Sequence, residues 1–512
     1  MIKHLSAYLT SSFIKRRIKN IELFMRYPIE TQNKLLINQL ISHAKNTEFG
    51  KKYRFNDIKK YKQFSKIVPI YTYSNLKSKI KRIRRGEKNI LWPGKVKWFA
   101  KSSGTTDTRS KYIPVTDLSM HKCHYKAAKD MLSIYIHNHP ETNIFLGKTV
   151  RLGGSHELCK KHGTFYGDLS SILIKNMPFW ANNICVPKKK IVLIDEWEKK
   201  IESIIKETVF KDVRVIFGVC SWLLIFLKKI LKLFPKKKIN EIWPNIEVIF
   251  HGGVSYIPYI PQYNEIFGNK INYYDVYSAS EGFFAIQDKK NTRDLLLLLN
   301  HGIFYEFIPL EEINKTNPKI ISIENVELYK NYALVISTNA GLWRYIVGDT
   351  VKFTNISPYR ISISGRTTHY INSFGEELIV ENAEKAINKA CLKTNSIVHE
   401  YTAGPVYMNE DKSGSHEWII EFKKYPKNFF DFRNILDEEL KSLNSDYEIK
   451  RYKDMILRPP IIKVVRNGLF YDWMKYQKKL GGQNKIPRLS NDRRYVDSLL
   501  KMNDDNEIKT II

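Results

Sequence analysis

The chain has 512 residues with 43% hydrophobic content, which is enough for large buried cores and for more than one domain. Its formal net charge is +32, but the lysines are spread along the whole chain, so a compositional bias explains the charge better than a nucleic-acid surface does. The 5 cysteines form no C-x-x-C pair, which argues against a disulfide framework and against a cysteine zinc site.

The first residues do not read as a targeting segment. Residues 1–17 are basic, but polar residues interrupt the apolar ones and a small-residue cleavage site is missing. The most apolar stretch, Trp222–Leu227, is far too short to span a bilayer. Together with the widely spaced cysteines, these features predict a cytoplasmic protein without a membrane span.

The N-terminal part predicts helices and then a first strand. Residues up to about Phe55 place apolar side chains at helical spacing. The apolar run Val96–Ala100 predicts a strand, and Thr116 is a suitable cap for a helix that continues to Met131. The loop between this strand and this helix is the most informative stretch of the chain.

That loop, Lys101–Thr116, reads KSSGTTDTRSKYIPVT and predicts a phosphate-binding site. Small hydroxyl residues around a glycine let backbone N–H groups form an anion-binding nest, and a lysine adds positive charge. The candidate residues are Ser102, Ser103, Gly104, Thr105, Thr106 and Lys111. A helix that begins near Thr116 is expected to add its positive end. The spacing is not that of a Walker A motif, and an ordinary polar turn is the alternative.

The next part alternates apolar runs with helical patterns and predicts an α/β fold. Val213–Val219, Glu247–Phe250 and Ile271–Val276 predict buried, largely parallel strands, and the stretch from about Ser221 to Leu233 predicts a helix. Ligands of open α/β sheets gather outside the carboxyl ends of the strands.

Two polar clusters follow strand patterns in this part. In VYSASEG, Glu281 is a candidate metal ligand and Tyr277 a candidate for stacking on a base, whereas a helix cap is the alternative. In GLWRYIVGDTVKF, Asp349 is placed to accept hydrogen bonds from both hydroxyls of a ribose. A hairpin turn at the Gly-Asp pair is the alternative there.

The chain changes character after the segment GRTTHYINSFGEELIVENAE. Short strand patterns surround one helix at about Phe429–Leu443, so we expect a domain boundary between Arg366 and Ile371. The predicted division is 1–367 for a large domain and 368–512 for a small one. Near the C-terminus, LGGQNK is a glycine-containing loop that ends at Lys485.

The order of these motifs resembles the auxin-responsive acyl-acid amido synthetase family, in its bacterial branch. The resemblance spans nearly the whole chain, and its motifs are LISHAKNTEFGKKYRF, the SSGTT loop with IPVT, FHGGVSYIPY, VYSASEG, GLWRYIVGD, GRTTHYINSFGEELIVENAE and LGGQNKIPRLSNDR. That family belongs to the adenylate-forming superfamily, with acyl-CoA synthetases and luciferases. The resemblance implies an adenylate-forming α/β fold with a large N-terminal α/β domain and a small mobile C-terminal α+β domain.

The resemblance also implies roles for single residues. The SSGTT residues would cradle the phosphates of ATP, with Lys111 as an additional catalytic charge. Tyr277 would face adenine, Ser280 would help to hold the α-phosphate, and Glu281 would ligate Mg²⁺. Asp349 would bind the ribose with Arg366 nearby. Lys485 would be the mobile catalytic lysine, carried by a domain that swings on a hinge near Thr368 and His369.

The chain departs from the family pattern at two places. Asp107 and Thr108 stand where many relatives have a glycine, and His369 stands where the hinge often has an acidic or basic residue. The sequence therefore predicts a ligase that uses ATP and Mg²⁺ to activate a small carboxylic acid and then transfers the acyl group to an amine, that of an amino acid.

Two alternatives stay open at this point. A thiol acceptor would make the protein an acyl-CoA or acyl-carrier ligase, and a basic nucleic-acid-binding protein is the alternative from another class. For the acid, His251, Tyr256 and Trp222 are candidate pocket residues, although aromatic residues of this kind are more often plain core.

Overall fold

The computed structural model describes most of the chain. The described residues are 2–102, 111–152, 158–161, 163–192, 194, 197–253, 256, 260–268, 271–313, 315–366, 370–371, 376, 378–407, 413–454, 457–480, 485–490, 492–503 and 509–511. By their contacts they divide into two compact units, of which the first comprises 1–256, 262–347 and 351–362. The second, smaller unit comprises 257–261, 348–350 and 363–512.

The helices follow the apolar spacing of the sequence. In chain order they are α1 (Ile2–Arg26), α2 (Pro28–Lys34), α3 (Ser42–Ala44), α4 (Glu48–Lys52), α5 (Tyr61–Ile67), α6 (Tyr73–Arg84), α7 (Asp117–Ser119), α8 (Tyr125–Asn138), α9 (Leu169–Lys175), α10 (Phe179–Ile184), α11 (Lys189–Val192), α12 (Trp197–Thr208), α13 (Cys220–Leu233), α14 (Ile239–Ile242), α15 (Ile260–Ile266), α16 (Val380–Thr394), α17 (Phe429–Leu443), α18 (Ser445–Arg451), α19 (Leu469–Tyr476) and α20 (Arg494–Leu500). Thr116 caps α7, since its hydroxyl accepts the N–H of Ser119 at 3.0 Å.

The longest strands lie in the second half of the chain. They are β1 (Trp98–Ser102), β2 (Lys111–Val115), β3 (Lys148–Arg151), β4 (Cys159–Lys161), β5 (Thr164–Gly167), β6 (Cys185–Val186), β7 (Val213–Gly218), β8 (Val248–Gly252), β9 (Asn272–Ala279), β10 (Gly282–Gln287), β11 (Leu295–Leu297), β12 (Ile303–Pro309), β13 (Ile321–Ser322), β14 (Asn331–Thr338), β15 (Tyr345–Ile356), β16 (Tyr359–Arg366), β17 (Tyr370–Ile371), β18 (Leu378–Ile379), β19 (Ile397–Val406), β20 (Ser415–Lys424), β21 (Ile461–Val465) and β22 (Lys509–Ile511).

Most of these strands belong to one large mixed sheet. Among the described residues it has 12 strands in the order β13-β12-β14-β15-β16-β11-β10-β9-β8-β7-β3-β6. From β6 through β3, β7 and β8 to β9 the pairing is parallel, which confirms the three strands predicted as parallel in this part. A second sheet of the described residues has the order β2-β1-β5-β4.

The other half of the sheet, for which no strand direction was predicted, contains antiparallel pairs. From β9 the chain turns directly back into β10, and the pairs β9–β10, β10–β11, β11–β16, β12–β13 and β12–β14 are antiparallel. A parallel neighbour needs a long crossover, whereas a two-residue turn permits only an antiparallel one. The apolar runs alone do not distinguish the two arrangements.

A continuous apolar core runs through the first unit. It joins side chains from α1 to α8 with the inner face of the large sheet, and Leu36, Phe49, Trp343 and Tyr305 are among its fully buried members. The rings of Phe49 and Trp343 stack at 5.8 Å, which links the N-terminal helices to the segment before β15.

The second unit has its own core and its own sheet. Its described strands are ordered β19-β20-β21-β22, and α16 and α17 pack together over Trp418 and Phe422. The helix predicted at Phe429–Leu443 is confirmed as α17. The boundary predicted between 367 and 368 stays a prediction, because residues 367–369, with the expected hinge at Thr368 and His369, lie outside the described residues.

The chain is therefore an α/β protein with a large first unit and a smaller second one. Within the described residues, every helix is too short or too polar to pass through a membrane.

Candidate active site

The predicted phosphate loop is the connection of a β-hairpin. Ser102 and Lys111 form the last paired position of β1 and β2, so the loop emerges from the end of this hairpin. Ser103, Gly104, Thr105 and Thr106 lie outside the described residues, as do Asp107 and Thr108. Their predicted role in phosphate binding therefore stays a prediction.

Two cations lie beside the loop end of this hairpin. The Lys111 ammonium lies 6.0 Å from the centre of the Tyr73 ring. The guanidinium of Arg84 lies 3.6 Å from the ring centre of Tyr112 and 4.8 Å from that of Tyr166. These cation–π contacts hold cations beside the hairpin without neutralising them, which suits an anionic ligand.

The expected contribution of the following helix is not supported. β2 is an extended strand between Lys111 and the helix cap Thr116, and five extended residues span about 16 Å. The positive end of α7 thus lies at the opposite end of β2 from the start of the loop. The sequence predicted the helix correctly but did not reveal that the whole of β2 separates the loop from the start of α7.

The carboxyl ends of β7, β8 and β9 form one edge of the large sheet, because these strands are parallel. Gly218, His251 and Asp275 lie side by side there, and Gly252 pairs with Val276. A Cβ atom on Gly252 would lie 2.4 Å from the carbonyl oxygen of Val276, so only glycine fits. The glycine is thus required by the close approach of the neighbouring strand.

Sequence reasoning missed Asp275, whose carboxylate lies 3.5 Å from Nδ1 of His251. Burial lowers the pKa of His251 to about 4, so the imidazole is neutral at physiological pH. Burial also raises the pKa of the Asp275 carboxyl to about 7, although 32% of its side-chain surface stays exposed at the edge. The one available signal was an acidic residue inside an otherwise aromatic and apolar strand.

Two of the three residues expected to line an acid pocket, His251 and Tyr256, form an aromatic column with Tyr273. The rings of His251 and Tyr256 stack at 4.7 Å, and those of Tyr256 and Tyr273 stack at 4.5 Å. His251 is only 3% exposed, and the hydroxyls of Tyr256 and Tyr273 are buried. Such stacking is compatible with packing in the core, which was the alternative. Trp222 belongs to α13, and a pocket role for it and the two others stays a prediction.

Ser280 and Glu281 form the two-residue turn of the β9–β10 hairpin, since Ala279 pairs directly with Gly282. The alternative of a helix cap is therefore wrong. Both side chains are buried, and the hydroxyl of Ser280 has no hydrogen-bond partner. A buried carboxylate beside an unsatisfied hydroxyl offers the oxygen ligands that Mg²⁺ prefers. The turn thus fits a magnesium ion together with phosphate oxygens.

Tyr277 lies three residues before this turn and is buried in the main core. Its ring packs against Phe284 with 4.8 Å between the ring centres, and only 5% of the residue is exposed. Any contact with a base would therefore use the small remaining edge of the ring. Among the described residues we find no cluster of three or more side chains of the His, Cys, Asp and Glu type that is arranged to hold a metal ion.

Asp349 lies inside the long strand β15 rather than in a turn, so the hairpin-turn alternative is wrong. The preceding Gly348 has a φ of 95°, a backbone conformation that favours glycine. Asp349 is 5% exposed, and its neighbour Thr350 accepts a hydrogen bond of 3.1 Å from Ser364 on β16. Arg366 ends β16. Both predicted nucleotide contacts thus lie on adjacent strands.

Lys485 is half-buried at the start of the described segment 485–490 of the second unit. The next residues of this segment run beside β19: the N–H of Ala403 donates to Arg488 O at 2.9 Å, and the N–H of Ser490 donates to Ala403 O at 3.0 Å. Residues 481–484, the glycine-containing part of the predicted loop, lie outside the described residues.

The fold is that of adenylate-forming enzymes. A structure of the acyl acid amido synthetase AtGH3.15 in complex with 2,4-DB superposes with a TM-score of 0.81 at 17% identity and covers 97% of each chain. A 2-hydroxyisobutyryl-CoA ligase in its postadenylation state gives a TM-score of 0.55 at 12% identity, with 95% of this chain and 91% of the other covered.

Three domain profiles of one family match the sequence in order. The GH3 family N-terminal domain matches residues 17–271, the central domain 296–366 and the C-terminal domain 381–494. The chain therefore belongs to the GH3 family, as the order of motifs predicted.

Among curated relatives, the indole-3-acetic acid-amido synthetase GH3.3 of Arabidopsis thaliana is 23% identical. This match covers 93% of this chain and 90% of the relative. The synthetase GH3.4 of the same plant is 24% identical, over 94% and 92%.

Proposed function

We propose that this protein is an ATP-dependent ligase that converts a small carboxylic acid to its acyl-adenylate and transfers the acyl group to the amine of an amino acid. One observation carries the proposal: three GH3 domains follow one another along the chain, and relatives named amido synthetases match almost its full length.

The reaction consists of two displacements. In the first, a carboxylate oxygen attacks the α-phosphorus of ATP, the bond to the bridging oxygen breaks, and pyrophosphate leaves. In the second, the amine nitrogen attacks the carbonyl carbon, AMP leaves, and the nitrogen loses a proton. Neither step needs a nucleophilic side chain, so positioning and charge stabilisation by the protein are sufficient.

Each candidate residue has a proposed part in the first step. Residues 102–106 and Lys111 bind phosphate oxygens at the end of the β1–β2 hairpin, and Ser280 binds the α-phosphate. Glu281 holds Mg²⁺, which supplies charge neutralisation when bound. Asp349 binds the ribose with Arg366 nearby, and Tyr277 contacts adenine. Lys485 stabilises the α-phosphate and the attacking carboxylate.

Several finer assignments belong to the same proposal. We divide the chain into domains at 367 and 368, with a hinge near Thr368 and His369 that lets the small domain move between the two steps. We also propose a cytoplasmic location, on the widely spaced cysteines, and no specific nucleic-acid partner, on the even spread of lysine along the chain. We also propose membership of the bacterial branch of the family, whereas the relatives named above are plant proteins.

The test is ATP–pyrophosphate exchange across a panel of carboxylic acids, with Mg²⁺ present. Exchange that requires one class of acid would support adenylate formation and identify that class. A panel of aromatic, indolic and aliphatic acids that all fail to stimulate exchange, with folded protein, would contradict the proposal. Tight DNA or RNA binding with a steep salt dependence would instead favour the nucleic-acid alternative.

A further inference from the structure

The segment that follows Lys485 behaves as an additional strand on the second unit. β19 is the outermost strand of its sheet in the described part of the chain, and Leu489 forms a parallel bridge with Ala403 beyond it. The hydroxyl of Thr402 donates to the carbonyl oxygen of Pro487 at 2.6 Å, in addition to the two backbone bonds at Ala403. The segment is therefore held along its length and is not a loose loop.

The side chain of Arg488 joins this segment to two other elements. Its Nη1 pairs with a carboxylate oxygen of Glu400 on β19 and donates to the carbonyl oxygen of Tyr401 at 3.1 Å. Its Nε lies 3.5 Å from Oε1 of Glu384 on α16. The guanidinium also lies 4.7 Å from the centre of the Tyr401 ring. One side chain thus connects the segment to both the sheet and the helix.

The contacts of Arg488 restrict the position of its guanidinium group. Only 15% of the Arg488 side chain and 10% of the Glu384 side chain are exposed, so solvent screens the charges weakly. A planar guanidinium that meets two carboxylates, a carbonyl and a ring has one orientation that satisfies all of them. A lysine at this position would keep the positive charge but would lose the planar set of N–H donors.

We infer that Arg488 is a positioning residue that sets the location of Lys485 through its contacts with Glu400, Glu384 and Tyr401. The inference rests on the proposed role of Lys485 in adenylate formation. Lys485 precedes Arg488 by three residues, a reach of about 10 Å at most, so a shift of Arg488 moves the lysine. The backbone of the lysine is then presented at a defined point of the second unit.

The two half-reactions provide the first test. Arg488→Ala should slow adenylate formation by about 10- to 100-fold, the cost of misplacing a reacting group by about 1 Å, and should barely change aminolysis of a prepared acyl-adenylate. Arg488→Lys and Glu400→Gln should give smaller losses in the same half-reaction, and they keep the test valid if Arg488→Ala fails to fold. Arg433→Ala is the control, because this partly exposed α17 residue bonds its neighbour Asn434.

A double-variant cycle shows whether Arg488 acts through the lysine. If it does, adding Arg488→Ala to Lys485→Ala slows adenylate formation no further than Lys485→Ala alone. Losses that multiply would overturn the inference, as would equal losses of both half-reactions in Arg488→Lys and Glu400→Gln.

Hydrogen exchange supplies a readout that does not depend on activity. Arg488→Lys and Glu400→Gln should speed exchange of the Ala403 and Ser490 amides, which bond β19 to the segment. Unchanged exchange in both variants would overturn the inference. The proposed role of Lys485 in adenylate formation is tested separately. If Lys485→Ala leaves adenylate formation unchanged, that role is wrong, whatever the exchange of these two amides shows.

Discussion

The Ser280–Glu281 turn and the Lys485 segment hold candidate catalytic residues in different ways. Ser280 and Glu281 occupy a two-residue turn whose position follows from the register of β9 and β10. Lys485 depends on a strand-like segment that side-chain ion pairs of Arg488 tie to β19 and α16. Backbone register alone fixes the first position, whereas the second combines backbone bonds to β19 with ion pairs that a single charge change would weaken. Substitution of Ser280 or Glu281 should therefore lower activity only through loss of the substituted side chain and not by moving its neighbours.

The largest expected effect tests the second region. Lys485→Ala should slow adenylate formation by about 100-fold or more, the scale of losing one preorganised electrostatic partner. Reaction of a prepared acyl-adenylate with the amine should change little, and single-turnover measurements of both half-reactions decide between the outcomes. Lys424→Ala, at the exposed end of β20 in the same unit, is the control. Equal loss in both half-reactions would indicate a structural role.

The turn of the first unit should give the next largest effect. Glu281→Gln keeps the size of the side chain and removes its charge, so adenylate formation should fall by about 10- to 100-fold and require more Mg²⁺. A magnesium titration of the rate measures this, with Glu311→Gln on the surface as the control. Titrations of Glu281→Gln and of the parent that overlay at equal rate would reduce Glu281 to a turn residue.

The sequence predicts the features that depend on local patterns of residues better than those that depend on contacts between distant parts of the chain. The parallel strands β7, β8 and β9 were predictable, because short runs of apolar, β-branched and aromatic residues between helical patterns are typical of buried strands. The Ser280–Glu281 turn was not, since Ser-Glu-Gly occurs at helix caps as readily as in hairpins. The position of Asp349 inside a strand was equally hidden, because the pair Gly348-Asp349 is typical of a turn.

Arg488 illustrates the part that local patterns cannot supply. It stands in the quoted motif LGGQNKIPRLSNDR, yet its partner Glu400 lies 88 residues earlier. Nothing in the spacing of the motif reveals that pair. The antiparallel half of the large sheet escaped prediction for a related reason, because strand direction is set by connections and not by hydrophobicity.

A smaller effect tests whether backbone register fixes the carboxyl edge of the large sheet. Gly252→Ala places a Cβ against the carbonyl oxygen of Val276, and overpacking of this kind costs about 1–3 kcal/mol of unfolding free energy. Thermal or denaturant unfolding measures the loss. In Gly268→Ala the new methyl group meets the flexible amide of Asn240, so a smaller change is expected. If Gly252→Ala is as stable as Gly268→Ala, the strands at this edge can move apart to accept the added methyl group.

The smallest expected effect concerns Asp275 and pH. Burial raises its pKa in the folded protein to about 7, so the folded state favours the neutral acid. Ionisation therefore costs stability as pH rises from about 4 to 7, a penalty that the uncharged amide of Asp275→Asn avoids. Melting curves from pH 4 to 8 should show an advantage for Asp275→Asn that grows to about 1–3 °C and levels off above pH 7. A difference that is constant across this range would contradict the shift.

The most direct measurement of the central claim uses the acid that stimulates pyrophosphate exchange. The enzyme is supplied with this acid, ATP and Mg²⁺, and then with either amino acids or coenzyme A, while AMP and the acyl product are quantified by mass spectrometry. We predict AMP release in a one-to-one ratio with an amide of one or more amino acids and little release with the thiol. Thioester formation with coenzyme A, and no amide with any amino acid, would contradict the assignment.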